Sequence, residues 1–213
     1  MTLRIGTRGS ELALFQADAV AAQLRAKTGV ACETVVIRTS GDKLADASLA
    51  QIGGKRLFVK EIEDALLDGE IDLAVHSSKD MPVVLPEGLR IAGVLPREDA
   101  RDAVILSAAP SNSMSVEELV SRLGAAPRIG TSSVRRTAQL ARVFAGASFL
   151  PIRGNLGTRL RKLDAGEYDA LVLASAGLIR LQQQARISTA MMPWPGAGTH
   201  AGIGSDAEIR ACC

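Results

Sequence analysis

The sequence predicts an α/β fold with mostly parallel sheets, divided into two domains. Three observations carry that reading. Short apolar runs alternate with helix-like runs along most of the chain. One local arrangement recurs, an apolar strand that enters a Gly/Ser/Thr turn with a helix opening behind it. It occurs at Gly6-Thr7-Arg8-Gly9-Ser10, at Gly130-Thr131-Ser132-Ser133 and at Arg153-Gly154-Asn155-Leu156-Gly157-Thr158. Finally, the polar stretch Pro96-Arg97-Glu98-Asp99 breaks the alternation, which restarts beyond it.

Taken in order, Leu3–Arg8 reads as a strand, and Ser10 as the N-cap of a helix running to about Lys27. Leu12, Ala13, Phe15, Ala19, Val20 and Leu24 supply that helix with an apolar face. Glu33–Arg38 is the next strand, residues 39–54 a polar loop, and Phe58–Leu67 a helix stopped by Asp68-Gly69. Asp72–Ser77 and Leu89–Leu95 read as strands around the loop Asp80–Gly88. Past the break, strands are expected at Ala103–Leu106, Arg128–Gly130, Ser148–Ile152 and Ala170–Ala174. Helices are expected at Val116–Leu123 and Ser133–Phe144 and after each of the last two strands. The predicted domains are residues 1–96 with 194–213, and residues 97–193. No fixed-period repeat is visible, which excludes a solenoid.

Composition narrows the function. The chain has 213 residues, 47% of them hydrophobic, enough to bury a core without staples. No apolar run approaches the roughly 20 residues of a membrane span, and the first residues lack the apolar core of a secretory signal. A cytoplasmic protein is expected. A net charge of +2 and an aromatic content of 3% argue against a nucleic-acid or membrane surface. Cys32, Cys212, Cys213, His76 and His200 form no metal-ligand spacing, so no metal site is expected.

Of the 25 basic residues 19 are arginine. A GC-rich genome accounts for the total but not for the placement. Arg8, Arg135 and Arg136, and Arg153 and Arg159 each accompany one of the three turns. Helix N-termini bind anions, and arginine holds carboxylates bidentately. Three such turns favour a polycarboxylate or phosphate ligand over three ordinary capped helices. Nucleotide motifs fail in detail: the first strand has no G-x-G-x-x-G, and Gly54-Lys55 is followed by Arg56 where a P-loop needs Ser or Thr. His76-Ser77-Ser78-Lys79-Asp80, at the end of an apolar strand, places a carboxylate and an ammonium where proton transfer or cation stabilisation is performed. The bland alternative is a solvated Lys–Asp pair worth almost nothing.

In sequence order, seven runs make the chain resemble the porphobilinogen deaminase (hydroxymethylbilane synthase) family. They are Arg4–Ser10, Gly53–Glu61, Ala74–Pro82, Arg97–Ala103, Ile129–Arg136, Arg153–Leu160 and Ala176–Leu181. The resemblance implies a transferase of tetrapyrrole (haem, porphyrin) biosynthesis. It would condense four porphobilinogen molecules head to tail, with loss of ammonia, into hydroxymethylbilane. It also implies two doubly wound domains resembling type II periplasmic binding proteins, crossing at Pro96–Asp102 and near Pro193. The implied catalytic residues are Asp80 and Lys79. Arg8, Arg135, Arg136, Arg153, Arg159 and Arg180 would hold substrate and cofactor carboxylates, with Ser10, Ser77, Lys79, Thr131, Ser132, Ser133, Gly154 and Asn155 adding to the binding set and Lys55 on a flexible loop over the site. The implied cofactor is dipyrromethane, the implied partners porphobilinogen and oligopyrroles, the implied state a monomer.

The family's third domain, which carries the cofactor-bonding cysteine in a Gly-Gly-Cys setting, is expected to be missing. Cys32, Cys212 and Cys213 lack that setting. Gly196-Ala197-Gly198 also departs from the family's Pro-x-x-Gly-Gln-Gly pattern. The rival expectations are a small-dicarboxylate binding module of similar fold and a non-catalytic remnant.

Overall fold

The computed structural model describes residues 1–43, 58–107, 114–191 and 211–212. These fall into two compact units, one built on Met1–Pro96 with the C-terminal strand, the other beginning at Arg97.

The first unit holds a parallel sheet of β1 (Thr2–Thr7), β2 (Ala31–Val36) and β3 (Leu73–Ala74) in the order β2-β1-β3. Helix α1 (Glu11–Thr28) joins β1 to β2, and Ser10 caps it by accepting from Ala13 N. Its left-handed Gly29 closes the other end, as helix stop signals require. Ile5, Leu73, Ala17, Val20 and Ala21 form a core between sheet and helix. A short helix α2 (Ser40–Lys43) follows β2. Helix α3 (Lys60–Leu67) packs Ile62 and Ala65 with Ile71 and Ala74 in a second core. Strand β4 (Ile91–Gly93) pairs antiparallel with the C-terminal strand β10 (Ala211–Cys212).

The second unit is built on a five-stranded sheet, order β7-β6-β8-β5-β9. The strands are β5 (Asp102–Leu106), β6 (Arg128–Gly130), β7 (Ser148–Leu150), β8 (Ala170–Ala174) and β9 (Thr189–Met191). The helices are α4 (Val116–Leu123), α5 (Val134–Leu140), α6 (Leu156–Asp164) and α7 (Ser175–Arg180). β5 and β8 are covered on both faces, which is why they read as unbroken apolar runs. Ala103, Ile105, Leu171 and Leu173 enter one core, and Val104, Leu106, Ala170 and Val172 the other. Among the described residues no helix is long and apolar enough to cross a membrane.

Three sequence expectations are corrected. α1 buries Gln16, Ala17, Val20 and Ala21, while Phe15 is 41% exposed. The helix carries apolar residues on every side, so periodicity could not orient it. The strand expected at Asp72–Ser77 is only two residues long: it pairs with β1 at Leu73 and Ala74, and the chain turns into a 3-10 helix at Ser78–Asp80. The sheet of the second unit is mixed: β5 runs antiparallel to both β8 and β9.

The two units also share a device that a search for fixed-period repeats misses. Arg4-Ile5-Gly6-Thr7 recurs as Arg128-Ile129-Gly130-Thr131, and Gly69-Glu70-Ile71-Asp72 as Gly166-Glu167-Tyr168-Asp169. Each arginine donates its backbone N–H and its Nε to one oxygen of the aspartate, at 2.8 and 3.0 Å for Asp72 and 2.7 and 3.2 Å for Asp169. Each Nη2 reaches the other oxygen and the carbonyl of the preceding glycine. These clasps hold Asp72 at a pKa of about 2, through the Arg4 hydrogen bonds, and Asp169 below the usual carboxylate range through Arg128. They fix the register in which Gly6 faces Ala74 and Gly130 faces Leu171, and so set the level of the turns that follow β1 and β6.

Candidate functional site

In the first unit the ends of β1 and β3 bring the Gly6–Ser10 turn beside His76-Ser77-Ser78-Lys79-Asp80. A pocket there is lined by Arg8, Ser10, His76, Ser77, Phe58 and Asp80, among others. Arg8 lies over the Phe58 ring, 4.3 Å from its centroid, so the guanidinium is held by a flat apolar floor. Ser77 Oγ donates to Gln16 Oε1 at 3.0 Å, which ties the end of β3 to α1. Ser78, Lys79 and Asp80 form a 3-10 turn in which the Asp80 N–H donates to Ser77 O at 2.8 Å. Lys79 and Asp80 are both exposed and do not pair with each other. Asp80 thus lines the pocket with Arg8, on the 3-10 turn beyond β3.

His76 is half-buried, and its Nε2 has no partner among the described residues. Burial, and then the charge of Arg8, push its pKa down to about 4. The imidazole is neutral at neutral pH, and the sign of its effect on stability follows. Above about pH 6.5 both folded and unfolded chains hold it neutral; below that value only the unfolded chain gains a proton. Stability is therefore expected to fall between pH 6.5 and pH 4, by about 3 kcal/mol from this group. Urea unfolding of wild type and His76→Gln across this range checks it: the variant should lose that part of the acid sensitivity.

In the second unit three elements end at the carboxyl edge of β6, β7 and β8. Ser133 caps α5 by accepting from Arg136 N, and Asn155 caps α6 by accepting from Thr158 N at 2.9 Å. Gly154, at φ 102, makes the turn before α6 in a conformation few other residues adopt. Thr131 is buried, and its Oγ1 accepts from Ser133 N. Ser132 Oγ both donates to Ile152 O and accepts from Ile152 N, which stitches the ends of β6 and β7 together. Arg159 Nε donates to Gly154 O at 2.8 Å.

The arginines of this edge differ in what they leave for a ligand. Arg136 Nε and Nη2 bind Asp102 Oδ1 and its Nη1 donates to Val172 O; its side chain is 15% exposed. Arg135 is half exposed and shares Asp102 through Nη2, with Nη1 on Gln139. Arg153 and Arg180 are half-buried, with no hydrogen bond or ion pair to the described residues. Lys55 lies outside the described residues. Sequence reasoning missed three participants, Gln16, Phe58 and Asp102. Gln16 lies in a helix apolar on every side, which gave it no signal; Phe58 and Asp102 offered none beyond their place in the quoted runs.

The described residues hold no cluster of three metal-ligating side chains. Cys32, the one cysteine whose side chain is described, packs against the α1 core, with Sγ 3.7 Å from Val30 O.

Comparison with known proteins shows the family of the chain. The family described as "Porphobilinogen deaminase, dipyromethane cofactor binding domain" matches residues 3–205. A porphobilinogen deaminase of Syntrophobacter fumaroxidans is 46% identical over 192 residues, 90% of this chain and 60% of that protein. One of Trichlorobacter lovleyi is 53% identical over 180 residues, 84% of this chain and 55% of that protein. The chain therefore spans a little over half the length of these curated relatives. Among solved structures, an ancestral arginine-binding protein bound to arginine covers 91% of this chain and 80% of its own, with 19% identity and a TM-score of 0.44. With nearly its whole length inside the family's match, the chain belongs to the porphobilinogen deaminase family.

Proposed function

We propose that this chain carries the polycarboxylate-binding and acid–base groups of a hydroxymethylbilane synthase, a transferase that joins four porphobilinogen molecules with loss of ammonia. The observation that carries the reading is the exposed Asp80, set on the 3-10 turn that follows β3, in the wall of a pocket that also holds Arg8. In each step the C–N bond of the aminomethyl group breaks and the nitrogen leaves as ammonia. The methylene carbon, now part of a cationic azafulvene, is attacked by a free pyrrole carbon, which then loses its proton. A carboxylate beside the ring stabilises the cation and can pass protons to the leaving nitrogen and from the attacked carbon. Asp80 fills that role, with Lys79 as its basic neighbour.

Dipyrromethane, when bound, supplies the pyrrole on which the chain is extended. The residues present suit its carboxylates. Arg8 stands in the first unit; Arg135, Arg153 and Arg180 stand in the second, and Ser10, Ser133 and Asn155 open helix N-termini at the same edges. Cys32 is packed away from these groups, so none of the described side chains is assigned as the attachment point. We also infer a cytoplasmic monomer, in keeping with the family resemblance and with an ordinary charged surface.

Arg153→Leu tests the carboxylate-holding part of this reading. Arg153 has a guanidinium uncommitted to the described residues, so its loss should cost a charge-assisted hydrogen-bond pair, about ten-fold or more in affinity for porphobilinogen. Calorimetric titration checks it, and unchanged affinity would remove Arg153 from the set.

A further inference from the structure

We propose that Asp102 is a positioning residue, which holds Arg135 in place as the ligand-facing guanidinium of the second unit. The inference rests on the reading of this chain as a binder of pyrrole carboxylates.

The direction of β5 is what makes Asp102 notable. Because β5 runs antiparallel to β8, its first residue stands opposite Ala174, the last residue of β8. An aspartate is thereby brought to the carboxyl edge of the parallel strands, the edge where the anion-accepting turns after β6 and β7 gather. A carboxylate there opposes anion binding unless it is neutralised. It is: Asp102, with a side chain only 8% exposed, takes Arg136 on Oδ1 at 2.9 Å and Arg135 on Oδ2 at 2.7 Å.

The two arginines are not equivalent. Arg136 is mostly buried, and its donors go to Asp102 and Val172 O, so it compensates the buried carboxylate. Arg135 keeps half its side chain in solvent, and Asp102 and Gln139 hold its two terminal nitrogens from behind. Two guanidinium groups and one carboxylate leave a single net positive charge, matched to one ligand carboxylate. A long, flexible arginine fixed in this way loses less freedom when it binds.

Electrostatics alone and positioning make opposite predictions. Removing the Asp102 charge raises the local positive charge, which by itself tightens anion binding. If Asp102 acts by holding Arg135, the same change weakens it. Porphobilinogen, a monopyrrole with two carboxylates, is the probe, titrated calorimetrically into the full chain. Asp102→Asn is expected to bind it about ten-fold more weakly, and Asp102→Glu, which keeps the charge but moves it by one methylene, to fall between Asn and wild type. In an Arg135→Gln background either Asp102 change should have little further effect, a dependence that a purely structural role would not produce. Circular dichroism verifies folding; if Asp102→Asn does not fold, the cycle of Asp102→Glu with Arg135→Gln answers the same question. Equal or tighter binding by a folded Asp102 variant, or losses that multiply with Arg135→Gln, overturns the proposal alone. No binding of porphobilinogen by wild type overturns both the proposal and the reading under it.

Discussion

Replacing Asp80 by Asn is expected to leave the fold intact and to lower porphobilinogen turnover by about 100-fold or more. Asp80 is exposed on a 3-10 turn, and no described residue depends on its carboxylate for a hydrogen bond. Asn keeps the shape of the side chain, so the melting temperature should move little. Under the proposed function, what disappears is the negative charge beside a cation that exists only while the C–N bond is broken. An interaction made in the transition state and absent from the ground state shows in turnover and leaves substrate affinity nearly untouched. The measurement is porphobilinogen consumption and ammonia release at saturating substrate, beside a calorimetric affinity for both proteins. Near-normal turnover would remove Asp80 from the chemistry.

The largest expected effect on stability is at Leu171. This side chain, the second of β8, is fully buried. It fills space that Gly130 of the paired strand leaves empty: a Cβ added at Gly130 would stand 2.5 Å from Leu171 Cδ2 and 2.8 Å from Tyr168 Cδ1. Tyr168 is pinned by its hydroxyl, which donates to Pro151 O at 2.9 Å. With glycine opposite and tyrosine held, the cavity left by Leu171→Ala has little that can relax into it. A loss near the upper part of the 2–5 kcal/mol range follows. Gly130→Ala alone should cost about 1–3 kcal/mol by overpacking, and the two together less than their sum, because the added methyl enters the new cavity. Urea unfolding of the four proteins measures this coupling; strict additivity would contradict the packing described.

Much of this architecture is legible in the amino-acid pattern, for identifiable reasons. α4 and the strands β6 and β8 stand where the pattern placed them, because each couples an apolar run to a strong boundary signal such as Ser115, Gly124 or the Gly130 turn. The N-cap Ser10 was likewise readable, whereas Ser133, read as the first residue of its helix, and Asn155, read as a ligand-binding residue, prove to be caps as well. The face of α1 was not, since a helix apolar all round has no preferred side until a sheet is laid against it. Nor was the direction of β5, since a strand buried on both faces carries the same apolar run whichever way its neighbours point. That direction is what brings Asp102 to the arginines. The positions of arginines were visible in the sequence, but their obligations were not. Arg135 and Arg136 are adjacent, chemically identical and bound to the same buried carboxylate, yet one is nearly buried and the other keeps half its side chain in solvent. The repeated Arg–Asp clasp was written twice in the sequence at unequal spacing, and its meaning emerges only when both copies are seen to fix a strand register.

The most direct test of the central claim is mass spectrometry of what the protein makes from porphobilinogen. The expected result is a linear four-pyrrole product, hydroxymethylbilane, with one ammonia released for each pyrrole joined, and its loss in Asp80→Asn. Porphobilinogen that is bound but recovered unchanged, by wild type and Asp80→Asn alike, would contradict it and identify the chain as an anion-binding module.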